Sequence, residues 1–192
     1  RRVLFRSTVA SLWAQSVPPD VRAALAPTGT LRDGINYNNP LLAVRDAATG
    51  ELRGIAVDLS RELGRRVGVP VELVPYDAAG KMSDAVKTGA WDIAYLAIDP
   101  QRAADIDFTA AYIELEGTYL VPAGSPLTRI EDVDRPGIRI AVTAKSAYDL
   151  FLSRELKNAR LVRADSTPLS FALMVDQQLD AVAAVRTALI AQ

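Results

Sequence analysis

An α/β fold in two lobes, with mainly parallel sheets, is the architecture this sequence predicts, and three observations predict it. Short runs rich in Val, Ile and Leu alternate with segments of helical period, the pattern of parallel sheets built from right-handed crossovers. Residues Asp92–Ile98 (DIAYLAI) form a nearly continuous apolar run, as expected of a strand covered on both faces. The alternation pauses at the turn-rich 122–126 and then restarts, so 30–121 reads as lobe one and 122–192 as lobe two.

Residues 1–29 precede the fold. The first seven, RRVLFRS, match the translated end of a widely used sequencing adapter and read as foreign; residues 8–15 (TVASLWAQ) are small and apolar, as in the remnant of a leader. A short helix is expected to end before Pro27. Leu31–Asn36 is a strand despite the charge of Asp33, and Asn36–Pro40 (NYNNP) is a polar loop. Ala48–Gly50 is a turn between two short extended pieces. In GIAVDLSRELGRRVGVP, Val57, Leu59, Leu63 and Val67 share a helical face, and Gly68 with Pro70 ends the helix. Val71–Pro75 is a strand, and Lys81–Lys87 is a helix closed by Gly89. Gly117–Val121 is a further strand.

After the pause the sequence predicts a strand at Ile138–Val142 and a helix over Ser146–Lys157 with Leu150, Phe151 and Leu152 inside. A strand at Arg160–Val162, a helix over Pro168–Gln177 with proline in its first turn, and a strand at Asp180–Val185 follow.

Composition narrows the function. There is no cysteine and no histidine, which excludes disulfides, thiol nucleophiles, the usual zinc sites and the Ser-His-Asp triad. With 22 basic and 23 acidic residues and few aromatics, the chain carries no electrostatic footprint for nucleic acid. No apolar run approaches the ~20 residues of a membrane helix. No cofactor or metal is expected.

Four segments, in order, carry a resemblance. LRDGINYNNP, GELRGIAVDLSRELGRRVGV, KTGAWDIAYLAIDPQRAADIDFTAAY and VDQQLDAVAAVRTAL together resemble the bacterial extracellular solute-binding proteins of family 3, the amino-acid-type receptors of ABC transporters, from about Thr28 onward. The resemblance implies a type II periplasmic-binding-protein fold with ligand held between the lobes. It also implies a monomer in the periplasm that delivers an amino acid or a small carboxylate to a membrane permease. Receptors of this kind return to lobe one after lobe two, so that return is expected beyond Gln192.

Candidate ligand contacts follow. Arg102 stands where the family arginine pairs with the ligand carboxylate, and a guanidinium fork suits that partner. Asp99 stands where the family has threonine; placed just before Pro100 it either serves as an N-cap, orients Arg102, or accepts from a ligand hydroxyl or ammonium. Ser146 opens a helix in TAKSAY and either caps it or meets ligand, with Lys145 and Tyr148 as weaker candidates. Val185 stands where the family aspartate holds an ammonium, and Arg186 follows it, which makes an anionic or hydroxylated ligand as credible as an amino acid. Asn38 and Asp77 end or follow lobe-one strands, where ligands of open α/β sheets bind. Ala111 replaces the family proline in IDFTAAY and bears on the backbone alone. A binding module needs no catalysis. Two alternatives remain: the sensing domain of a membrane signalling protein, and a dehydratase on the same fold using Asp99.

Overall fold

The computed structural model describes residues 17–191; the foreign-looking 1–7 and the apolar 8–15 lie outside the described residues. A first helix, α1 (Pro19–Leu25), starts on proline, whose missing N–H is harmless at that position. Beyond it stand two separate α/β units, each around its own sheet.

The first sheet is three parallel strands in the order β4-β1-β5: β1 (Leu31–Asn36) lies between β4 (Val71–Tyr76) and β5 (Ile93–Ala94). Helix α2 (Ile55–Val67) makes the crossover from β1 to β4 and packs on both. A two-stranded ribbon, β2 (Val44–Arg45) with β3 (Leu52–Arg53), turns at the expected Ala48–Gly50. The core of this unit gathers Ile35, Leu42, Ala43, Leu52, Ala56 and Val57.

The second sheet has the order β6-β9-β7-β8. Here β6 (Gly117–Leu120) runs antiparallel to β9 (Ala181–Val185), whereas β7 (Arg139–Thr143) is parallel to both β9 and β8 (Arg160–Ala164). The chain therefore enters the second sheet at Gly117, five residues ahead of the pause at 122. Period-two alternation gives this sheet two buried faces. Ile140, Val142 and Ala183 face Leu152 of helix α4 (Ala147–Glu155). Ala141, Val182 and Ala184 face Leu179 and Leu189. Helix α5 (Thr167–Asp176) covers β7, β8 and β9, and α6 (Arg186–Ile190) follows β9 directly.

Four expectations are corrected. Asp92–Ile98 is not a long strand covered on both faces: only Ile93–Ala94 joins the ladder, and Ile98 is 58% exposed. In α2 the buried face is Ala56, Val57, Ser60, Gly64 and Val67, while Leu59 points out. The helix turns its small residues inward because it lies tight on β4; a Cβ at Gly64 would sit 2.1 Å from Val71 Cγ2. Phe151 of α4 is exposed, not inside. The helix expected at Lys81–Lys87 begins earlier, as α3 (Ala79–Asp84), and tightens to a 3₁₀ turn at Ala85–Thr88.

One backbone position decides how α2 starts. Gly54 has φ 129, and a Cβ there would lie 2.5 Å from the Leu42 carbonyl oxygen. That carbonyl already accepts the Ala56 N–H at 3.0 Å, so it cannot retreat freely. Gly54→Ala is expected to lose about 1–3 kcal/mol from backbone strain, with more from the clash, read as a lower urea midpoint with an unchanged slope.

Candidate functional site

The strands of both sheets end at one place. The carboxyl end of β1 (Asn36), the carboxyl end of β7 (Thr143) and the last residue of β9 (Val185) all line a single cavity of about 1110 Å³. This is the position at which open α/β sheets hold ligands. The cavity runs between the two units and along the flank of the first sheet. A smaller pocket of about 590 Å³ lies between Pro122–Pro126 and Met174–Asp180; its one charged residue, Asp180, accepts the Arg139 N–H at 2.8 Å.

Arg102 is the distinctive group in the cleft. It opens a 3₁₀ turn (Arg102–Ala104) after Pro100, and only 4% of it is exposed. Its Nη1 donates to the Ala97 carbonyl at 3.0 Å and its Nη2 to the Lys145 carbonyl, across the cleft, at 2.9 Å. Its Nε has no hydrogen-bond partner among the described residues. Burial pulls the guanidinium pKa down, partly offset by the neighbouring charge of Asp99. A buried cationic N–H without an acceptor is unusual and costly.

The other candidates divide. Asn38 and Ser146 line the cavity with Arg102. Asn38 Nδ2 donates to the Asp77 carbonyl at 2.7 Å, pinning the loop after β1 to the loop after β4. Ser146 is the N-cap of α4: its hydroxyl accepts the Asp149 N–H at 3.1 Å, while Asp149 accepts the Lys145 N–H at 2.8 Å. Asp77, Asp99 and Arg186 do not line the cavity. Asp77 pairs with Lys81 at 2.8 Å. Arg186 pairs with Glu116 at 2.8 Å. Asp99, 3% exposed, accepts the Gln101 N–H at 2.8 Å and pairs with Arg154 of α4 at 2.9 Å.

That last pair spans the two units, and it is not alone. Lys145 Nζ reaches Asp84 Oδ2 at 2.5 Å, and Lys145 holds a left-handed φ of 55. A Cβ at Gly80 would lie 2.7 Å from the Ala144 carbonyl, so the loop before α4 sits directly on α3.

Tyr148, a weaker candidate from the sequence, belongs to a row of hydroxyls on the second-sheet wall whose other members, Thr143 and Thr167, are not among the sequence-based candidates. Tyr148 Oη donates to Thr143 Oγ1 at 3.1 Å, and Thr143 Oγ1 lies 3.2 Å from Thr167 Oγ1. Thr143 ends a strand and Thr167 begins a helix. Polar residues at strand ends facing a cleft were the signal available. Phe151 also lines the cavity, which accounts for its exposure.

The profile of the bacterial extracellular solute-binding proteins, family 3, matches residues 31–189. No curated protein matches by sequence. Solved structures do match. One is an ancestral amino acid-binding protein, a precursor of cyclohexadienyl dehydratase, at 24% identity and TM-score 0.75, covering 88% of this chain and 76% of that one. Another is an ancestral arginine-binding protein bound to glutamine, at 25% identity and TM-score 0.72, covering 85% and 72%. A third is a solute receptor for L-cysteine of Neisseria gonorrhoeae, at 24% identity and TM-score 0.74, covering 88% and 69%. The chain shares with them the two-lobed type II periplasmic-binding-protein fold.

Proposed function

The chain belongs to the bacterial extracellular solute-binding proteins, family 3, and from that premise we propose that it captures a small carboxylate, an amino acid or a related acid, in the cleft between its lobes. Arg102 carries the reading. It is a buried guanidinium lining the cleft, with its Nε unpartnered, and a ligand carboxylate is the group that satisfies it. Asn38 and Ser146 stand on opposite walls of the same cavity. In this reading Asp99 and Arg186 serve at the margins, through their ion pairs with Arg154 and Glu116. Residues up to the end of β5 and on to Tyr112 make one lobe, and those from β6 onward the other. The lobes close on ligand by hinge motion, and the closed form is what a membrane permease of an ABC importer would recognise. The setting is the periplasm, and the work is binding without turnover.

A thermal-shift panel of amino acids, hydroxy acids, dicarboxylates and sugars tests this. A ligand at a hundred times its Kd adds about 2.7 kcal/mol, which moves the midpoint by roughly 5–11 °C for a domain of this size. A shift confined to carboxylates is expected. A shift with sugars alone would overturn the reading.

A further inference from the structure

We propose that the cleft takes a carboxylate that carries no ammonium group, a hydroxy acid or keto acid, in place of an amino acid. The inference rests on the carboxylate reading above and deepens it. Among the described residues lining the cavity, Arg102 is the one basic side chain. An α-amino acid brings a cation as well as an anion, and the cation needs a buried acid, because a charge taken out of water unpaired costs several kcal/mol.

Among the described residues, every acid that lines the cavity is paired or exposed, and Asp33, unpartnered within β1, does not line it. Asp99 and Asp84, next to the cleft, are committed to Arg154 and Lys145. Glu116, beside the end of β9, is committed to Arg186. Three acids do line the cavity along the flank of the first sheet. Asp92 is held by Arg32 at 2.6 Å and Asp105 by Lys87 at 3.4 Å. Asp107 is exposed, and a carboxylate in water contributes little to a pair.

What the cleft does offer opposite Arg102 is neutral. The hydroxyls of Tyr148, Thr143 and Thr167 form a chain on one wall, and the amide of Asn38 stands on the other. These groups both donate and accept, which fits a hydroxyl or a carbonyl oxygen and supplies no charge for an ammonium.

Isothermal titration calorimetry with matched acids tests the inference, each set keeping one side chain and changing only the α-substituent. Suitable sets are alanine, lactate and pyruvate; leucine, 2-hydroxy-4-methylpentanoate and its keto acid; and glutamate, 2-hydroxyglutarate and 2-oxoglutarate. In at least one set the hydroxy or keto acid is expected to bind about 100-fold or more tightly than its amino acid. An amino acid that binds as well as its hydroxy partner would overturn this inference and leave the carboxylate reading standing. Failure of every acid, from protein shown to be folded by its cooperative melt, would overturn the carboxylate reading and this inference with it.

Discussion

Arg102→Ala is expected to weaken carboxylate binding by about 3 kcal/mol, or roughly 150-fold in Kd. Burying an N–H without an acceptor costs about 1–3 kcal/mol, and more when the group is charged, and the Nε of Arg102 is in that position. A bound carboxylate relieves this and gains a charge-assisted hydrogen bond in a water-poor site. Because Arg102 also holds the Ala97 and Lys145 carbonyls, part of the loss comes from a looser closed form. Arg102→Lys separates the two contributions. It keeps the charge and loses the fork, so its affinity should fall between those of the parent and the alanine variant. Calorimetry reads both. An alanine variant that binds as tightly as the parent would reduce Arg102 to a strut between the lobes.

Asp33→Val is expected to stabilise the protein at neutral pH on the order of 4 kcal/mol. Asp33 lies in the middle of β1, wholly buried, and neither carboxylate oxygen has a hydrogen-bond partner among the described residues. Burial pushes its pKa up from 3.8 to about 7, against a smaller downward pull from Ser60. The Ser60 hydroxyl already donates to the Ala56 carbonyl at 2.6 Å. Burial raises the pKa values of Tyr95 and Tyr112, which meet edge to face at 5.8 Å, and the nearby charge of Asp33 adds to the rise.

The sign follows from proton counts. Between pH 4 and 7 the folded protein holds a proton on Asp33 that the unfolded chain has released, so stability is full below about pH 4 and falls as pH rises towards 7. Carboxylates held low, such as Glu62 beside Arg65 and Arg66, act in the opposite direction, mainly below pH 4. The difference between parent and variant isolates Asp33. Urea midpoints at pH 4.5 and 7.5 should diverge for the pair, with the variant ahead at the higher pH. Parallel curves would show that the carboxylate finds a partner in solution.

The alternation of strands and helices was legible because periodicity is written locally. The strand at Leu31–Asn36 matched residue for residue, and those from Val71, Gly117 and Asp180 matched within a residue or so at either end. Errors arose where apolar character was taken for burial. DIAYLAI is apolar throughout, yet only two of its residues find a ladder partner, and sequence does not reveal where a neighbouring strand runs. Helical period groups Leu59 with Val57, Leu63 and Val67, but the close approach of α2 to β4 at Gly64 rotates small residues inward. Phe151 is apolar and exposed because it faces the cleft. The position of Arg102 in the cleft was legible from its motif. The partner of Asp99 was not, since Arg154 lies 55 residues further along the chain and across the cleft, and no local pattern couples them.

The contacts between the lobes have a kinetic side. Arg102 to the Lys145 carbonyl, Lys145 to Asp84 and Asp99 to Arg154 use no ligand atom. Such ties form whenever the lobes meet, so they raise the share of closed molecules before any ligand arrives, and the ligand has only to supply the remaining difference. They must also break each time a bound molecule departs, whatever its chemistry, and most tuning of affinity between related complexes lies in that departure step. Closure and choice therefore overlap at Arg102 and separate at Arg154. On the proposed reading Arg102 serves both, whereas Arg154, which does not line the cavity, acts on closure alone and so times the release of whatever ligand is held.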